Sequence, residues 1–219
     1  MLARAKSVYN SKGFGSLVKG AVTHFLKKCR TLPLVRNAVA RHRFRMLKMK
    51  KPLRLHLGCG SNLLDGYVNI DRYNPKADMM MDACELDYPD DSVDEIFTSH
   101  MVEHLTCPEF MKALKEWKRV LKGEGKLVIR CPNFEKHVRD WLNADYRKRW
   151  GERNEGVNVI LGFQDRGPGH LNRNIFTSDR LSDLVSRAGF EIMECHPVMN
   201  RYGDIPDGDI LLRARKQKE

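Results

Sequence analysis

Residues Leu53–Asp71 read LRLHLGCGSNLLDGYVNID: an apolar run, a Gly-x-Gly turn at Gly58, Cys59 and Gly60, and a second short run closed by an acid. This order suits a protein that holds an adenosine-containing cofactor at the carboxyl edge of a parallel sheet. Glycines let the backbone approach a ligand without a Cβ clash, and an acid ending the next strand can accept hydrogen bonds from both ribose hydroxyls. A dinucleotide fingerprint fits less well. It needs a third glycine where Leu63 stands and an acid about 20 residues on, whereas Asp71 arrives sooner.

Taken in order, LHLGCG, YVNID, DSVDEIFTSHMVEHL and LKGEGKLVIRCPNF resemble the class I S-adenosylmethionine-dependent methyltransferases, above all the small type 11 branch. The resemblance runs from about Leu53 to Ile210. It implies a Rossmann-like α/β fold, a doubly wound, mostly parallel seven-stranded sheet with a C-terminal antiparallel hairpin. It departs from the family between Gly60 and Tyr67, a segment too short for the helix usually found there.

The resemblance also implies S-adenosylmethionine as cofactor, with Gly58, Cys59, Gly60, Asp71, Asp82, Ala83 and Ser99 around it. Asp71 would hold the ribose and Asp82 would lie beside the adenine, with Ala83 and Cys84 flanking the ring. His56 is expected to be a satisfied sheet histidine instead.

Methyl transfer from a sulfonium is a direct displacement, so alignment and exclusion of water supply much of the acceleration. A hydroxyl acceptor also benefits from a base, and histidine suits that task near neutral pH. His100 and His104, in SHMVEH after the fourth strand, are the candidate bases, and His170 in GPGHLNRN could reach the same cleft. Methyltransferases that act on amides commonly carry Asn/Asp-Pro-Pro-Tyr at this point. TSHM departs from that pattern and favours an oxygen acceptor. The resemblance, not any residue, implies that the oxygen belongs to a sugar, glycan or lipid-linked small molecule. The alternatives are a non-catalytic module that keeps this fold and docks on a membrane or partner, and an RNA methyltransferase that uses the basic arm.

The residues His100 to His104 also spell H-x-x-E-H, a zinc-peptidase signature. That site needs a helical setting and a third ligand, and here the motif follows a strand within an ordered cofactor series, so no metal is expected. Six cysteines, at 29, 59, 84, 107, 131 and 195, stand singly and imply neither a zinc site nor a disulfide framework.

Around this core, apolar runs predict strands near 53–58, 67–71, 78–82, 93–98, 126–131, 190–195 and 208–214. Thr106-Cys-Pro-Glu109 reads as a capping box before Phe110, Leu114, Trp117 and Leu121, with Gly123 and Gly125 ending the helix. Thr177 or Ser178 opens another that ends at Gly189. The stretch from about 134 to 176 exceeds what a compact connector requires. Its Trp141, Tyr146 and Trp150 are expected either to face substrate or to form a satellite core.

The chain has 219 residues and a net charge of +11, unevenly spread. Residues 1–51 hold 14 Lys/Arg and no acid, which leaves 25 of the 39 bases against all 28 acids in residues 52–219. This divides the chain into a basic N-terminal extension and a methyltransferase-like domain. Within the extension, Leu17, Val18, Ala21, Val22, Phe25, Leu26 and Cys29 recur at helical spacing with lysines off the stripe. Such a helix either lies on an anionic membrane, where each base adds about 1 kcal/mol, or packs on the domain; the sequence favours neither. An RNA-binding arm is the lesser expectation, since Arg41–Lys51 interleaves only Phe44. An acid-free start also resembles a transit peptide, but many lysines and few serines weigh against it. Lys19, His24, Lys27 and Lys28 interrupt the one candidate secretory signal. The expected location is the cytosol, peripheral to a membrane if the helix binds one.

Overall fold

The computed structural model describes residues 52–143, 155–163, 168–199 and 206–217. The basic helix expected at 17–29, with Tyr146 and Trp150, lies outside them.

Seven strands form one mixed sheet: β1 (Arg54–Leu57), β2 (Val68–Asp71), β3 (Met79–Met80), β4 (Val93–Ser99), β5 (Leu121–Pro132), β6 (Phe190–Met199) and β7 (Pro206–Lys216). Their spatial order is β3-β2-β1-β4-β5-β7-β6. The first five run parallel, while β7 lies antiparallel to β5 and β6, closing the edge as a hairpin. All seven predicted strands are present. The third is shorter than expected, and the last three are longer.

The chain moves outward from β1 to β3 and then returns to place β4 on the other side of β1. That reversal opens a crevice at the carboxyl ends of β1 and β4, where ligands bind open α/β sheets.

Four helices are described: α1 (Cys107–Val120), α2 (Phe134–Asn143), α3 (Glu155–Leu161) and α4 (Ser178–Arg187). Thr106 caps α1 as its sequence predicts. Its hydroxyl accepts the Glu109 amide at 3.4 Å, and the Glu109 carboxylate accepts the Thr106 amide at 2.7 Å. One face of α1 is buried through Phe110, Ala113, Leu114, Trp117 and Val120, each large side chain contributing about 1.5–3 kcal/mol. Phe110 meets Trp117 and Phe176 edge-on. Thr177 caps α4, whose Leu181, Leu184 and Val185 are buried.

One helix boundary corrects the sequence reading. Gly123 and Gly125 do not end α1; Leu121 is already extended (φ −68°, ψ 138°), pairs with Val93 and begins β5. The register slips between that pair and Glu95–Lys126, so the glycines occupy an irregularity within the strand. Leu121 is fully buried, and its place in the sheet core outweighs its fit to the helical spacing.

The connections 58–67, 72–78 and 81–92 carry no helix, so loops join the strands in this half of the sheet. Polar contacts hold these loops. The buried Asn69 side chain accepts the Leu64 amide at 2.8 Å and donates to its carbonyl at 3.2 Å. Arg119 donates to the carbonyls of Leu86 and Tyr88, and Trp117 Nε1 to that of Ala83 at 2.9 Å. His56 is buried and bonds Asn69 at 3.2 Å, the structural role expected of it. Burial lowers its pKa despite that bond.

Candidate active site

The two glycines that follow β1 do different work. Gly58 has φ +65°, and a Cβ there would meet Met101 Cγ at 2.2 Å. Its freedom therefore lets the segment after β4 close against the turn, and Met101, not a ligand, fills the space. Gly60 has φ +49° with nothing within 4 Å of the position a Cβ would take. That open cradle is the side from which a cofactor could approach.

Asp71 closes the turn. Its Oδ2 accepts the Gly60 amide at 2.9 Å, and its Oδ1 accepts the amides of Tyr73 and Asn74 at 2.7 and 2.8 Å. The Asn74 side chain donates to the Gly60 carbonyl. A carboxylate offers about four lone-pair sites, so Asp71 keeps roughly one, on Oδ2, for a ribose hydroxyl. Cys59 is buried and donates its amide to Ile70. Burial pushes its thiol up to about 11, so it stays neutral near pH 7.

Beyond β3, Asp82 accepts the Cys84 amide at 2.8 Å and pairs with Arg72 at 3.2 Å. Ala83 lies beside it, its carbonyl taken by Trp117. Ser99 ends β4 opposite Arg130.

The two candidate bases diverge. His100 follows β4 with φ +53°, before the 3-10 turn Val102–His104, so the two imidazoles do not share a helical face. Its Nε2 lies 3.0 Å from Asp209 Oδ2 and its Nδ1 3.5 Å from Glu103 Oε1. Asp209 sits on β7 and also accepts Arg130 Nε at 2.5 Å. Hydrogen bonds to Asp209 and then Glu103 outweigh burial and raise His100 to about 10. Burial alone would raise Asp209, but His100 and Arg130 hold it below the usual carboxylate range. Near neutral pH His100 is an imidazolium that donates, so it is not suited to act as a base.

His104 is half-buried, and its Nδ1 lies 3.0 Å from the Leu171 carbonyl. That acceptor fixes the proton of the neutral ring on Nδ1 and leaves Nε2 to accept. His170 stands edge-on, with 6.4 Å between ring centroids.

A 3-10 turn, Pro168–His170, carries this second histidine. A Cβ on Gly169 would lie 3.4 Å from the Tyr73 ring. The turn thus reaches from beyond β2 to His104 beyond β4, and β1 with its glycine turn lies between them. Arg173 and Asn174 donate their amides to the Glu103 carbonyl, and Gly162 pairs with Leu171. Trp141 is half-buried on α2. The long 134–176 stretch is therefore not one open connector, since α2, α3 and this turn build its described parts. Among the described residues no group of three or more His, Cys, Asp or Glu is placed to hold a metal ion.

The type 11 family described as a methyltransferase domain matches residues 68–129, from β2 into β5. The chain carries the class I methyltransferase fold. PH0226 protein from Pyrococcus horikoshii is 15% identical over 87% of this chain and 99% of its own, with a TM-score of 0.55. Burkholderia thailandensis 1,6-didemethyltoxoflavin-N1-methyltransferase, with its substrate and S-adenosylhomocysteine bound, is 13% identical over 94% and 89%, at 0.51. A chain from the Haloferax volcanii complex of the Trm112 methyltransferase activator with a methyltransferase is 15% identical over 84% and 94%, also at 0.51. No curated protein matches the sequence. The family match begins after Gly58 and Gly60, so the role of the glycine turn rests on its geometry.

Proposed function

We propose that the protein is an S-adenosylmethionine-dependent methyltransferase that methylates oxygen in a sugar, glycan or lipid-linked small molecule. The observation that carries the cofactor half is the open cradle at Gly60 closed by Asp71, at the reversal point of a class I methyltransferase sheet. The cofactor, when bound, supplies an electrophilic methyl group on sulfur. Asp71 Oδ2 takes a ribose hydroxyl, and Asp82 and Ala83 border the adenine. The Pro168–His170 turn limits water at the mouth. His104 Nε2 accepts the proton of the acceptor hydroxyl, and the His100 imidazolium contributes positive charge beside it. The apolar stripe and bases of residues 17–30 would hold the enzyme at the inner face of a membrane, next to a lipid-linked acceptor.

Calorimetry with S-adenosylhomocysteine tests the cofactor half. Micromolar binding is expected, weakened about tenfold by Asp71→Ala, the value of one charge-assisted hydrogen bond. Equal binding by the variant would remove Asp71 from the site. Labelled cofactor incubated with activated sugars and lipid-linked glycans tests the acceptor. There His104→Gln should lower turnover about 10²–10⁴-fold with cofactor affinity unchanged.

A further inference from the structure

Asp71 holds more than the glycine turn. The oxygen that accepts the Tyr73 amide at 2.7 Å roots a tyrosine ring at the rim of the crevice, where it is 70% exposed. The Arg72 guanidinium stands 5.6 Å from the centroid of that ring and pairs with Asp82 at 3.2 Å. Tyr73 is therefore tied through its backbone to the carboxylate assigned to the ribose, and through Arg72 to the one assigned beside the adenine.

The turn Pro168–His170 reaches this ring from the other side of β1. A methyl on Gly169 would lie 3.4 Å from Tyr73 Cε2 and 3.8 Å from Cδ2, ordinary contact distances, so the glycine leaves a methyl-sized space at the ring. The backbone of Gly169 is outside the left-handed region, and alanine fits it without strain. The far end of the segment is tied firmly. The Leu171 carbonyl accepts His104 Nδ1 at 3.0 Å, and the amides of Arg173 and Asn174 donate to the Glu103 carbonyl at 2.8 and 3.1 Å.

Hydrogen bonds hold one end, and among the described residues a van der Waals contact with Tyr73 meets the other. Dispersion between so few atoms is weak, so the segment opens at Tyr73 and stays hinged at His104. Because β1 lies between β2 and β4, the stretch from Gly169 to His104 passes over the carboxyl end of β1, where Gly60 presents its open cradle. We infer that Tyr73 and Gly169 form a clasp over the bound cofactor, and that their contact sets how long S-adenosylhomocysteine stays. The inference rests on the proposed methyltransferase reading for the ligand, and on the contact geometry for the clasp. A glycine at this point keeps the clasp weak, which suits a product that must leave after every turnover.

The test is the dissociation rate of S-adenosylhomocysteine, measured by surface plasmon resonance with the full chain captured on the sensor. Tyr73→Ala should raise that rate about tenfold, the loss of one aromatic contact. Gly169→Ala should lower it about threefold, because its methyl fills the space against the ring. In the double variant the methyl has no ring to meet, so the rate should match that of Tyr73→Ala alone; a double-mutant cycle isolates this dependence. The urea midpoint of Tyr73→Ala should equal the parent's, since the ring is largely exposed, and this separates the clasp from a general loosening. An unchanged rate in either single variant, or a slowing by Gly169→Ala that persists without the tyrosine, would overturn the clasp and leave cofactor binding standing. A parent that does not bind S-adenosylhomocysteine would overturn the methyltransferase reading and the clasp together.

Discussion

At the glycine turn Asp71 meets three backbone amides, and the Gly60 carbonyl meets Asn74. Across β1, beyond β4, Glu103 and Asn174 are buried more deeply, and the Asn174 amide donates to the Glu103 carbonyl. The first region builds its shape from its own backbone before any ligand arrives. The second is assembled from segments far apart in the chain, with Asn174 bonded to Glu103 and Asp209 to His100. A site that must hold one constant cofactor gains from being preorganised.

Glycine substitutions break this comparison most sharply. Gly58→Ala drives a methyl into Met101 on a left-handed backbone and should cost about 3 kcal/mol in urea unfolding, from overpacking and strain together. Gly60→Ala meets open space and should cost only about 1 kcal/mol of strain, yet it should weaken S-adenosylhomocysteine more than Gly58→Ala does per unit of lost stability. If both variants lose stability equally and bind equally well, the Gly60 cradle does not face the cofactor.

How far these features could be read in the sequence follows from the range of the interactions that make them. The strands and the Thr106 cap are local patterns of apolar spacing and capping chemistry, and they stand where that spacing puts them. Asp71 is legible because a strand, a glycine turn and an acid occur in order. The partner that charges His100 is not: Asp209 lies 109 residues away on β7, and no local pattern marks it. Asn174 likewise reaches Glu103 only through tertiary folding. Asn69 stands in plain view in YVNID, but its work of pinning a loop in place of a helix shows only when Leu64 and Asp78 are beside it. Gly123 and Gly125 carry a strong stop signal that burial of Leu121 in the sheet overrides.

The His100–Asp209 pair gives the next effect. The folded pKa of His100, about 10, lies above its ordinary 6.5, so its stabilisation is complete below about pH 6.5 and fades as pH rises through about 10. Asp209 is lowered, so its share is present above the ordinary carboxylate pKa and fades as pH falls below it. Asp209→Asn should cost about 2 kcal/mol at pH 7, less than a fully buried pair because His100 is half-exposed. It should also flatten the fall in urea midpoint between pH 6.5 and 10. An alkaline limb unchanged in the variant would mean that His100 titrates normally and regains its candidacy as base.

Thr106→Ala carries the smallest effect and isolates the segment beyond β4. The hydroxyl satisfies the first turn of α1, two residues after His104, and Glu109 of the same box pairs with Arg173 at 3.0 Å, next to Asn174. Loss of such a cap costs about 1 kcal/mol. Hydrogen exchange should quicken in residues 102–110 and 172–174 more than at the amides of Gly60, Tyr73 and Asn74, which Asp71 holds independently. S-adenosylhomocysteine affinity should stay within about twofold of the parent, because no bond of the glycine turn passes through Thr106. If exchange rises equally at both ends of the crevice, the two regions share one cooperative unit, and the division between the glycine turn and the segment beyond β4 does not hold.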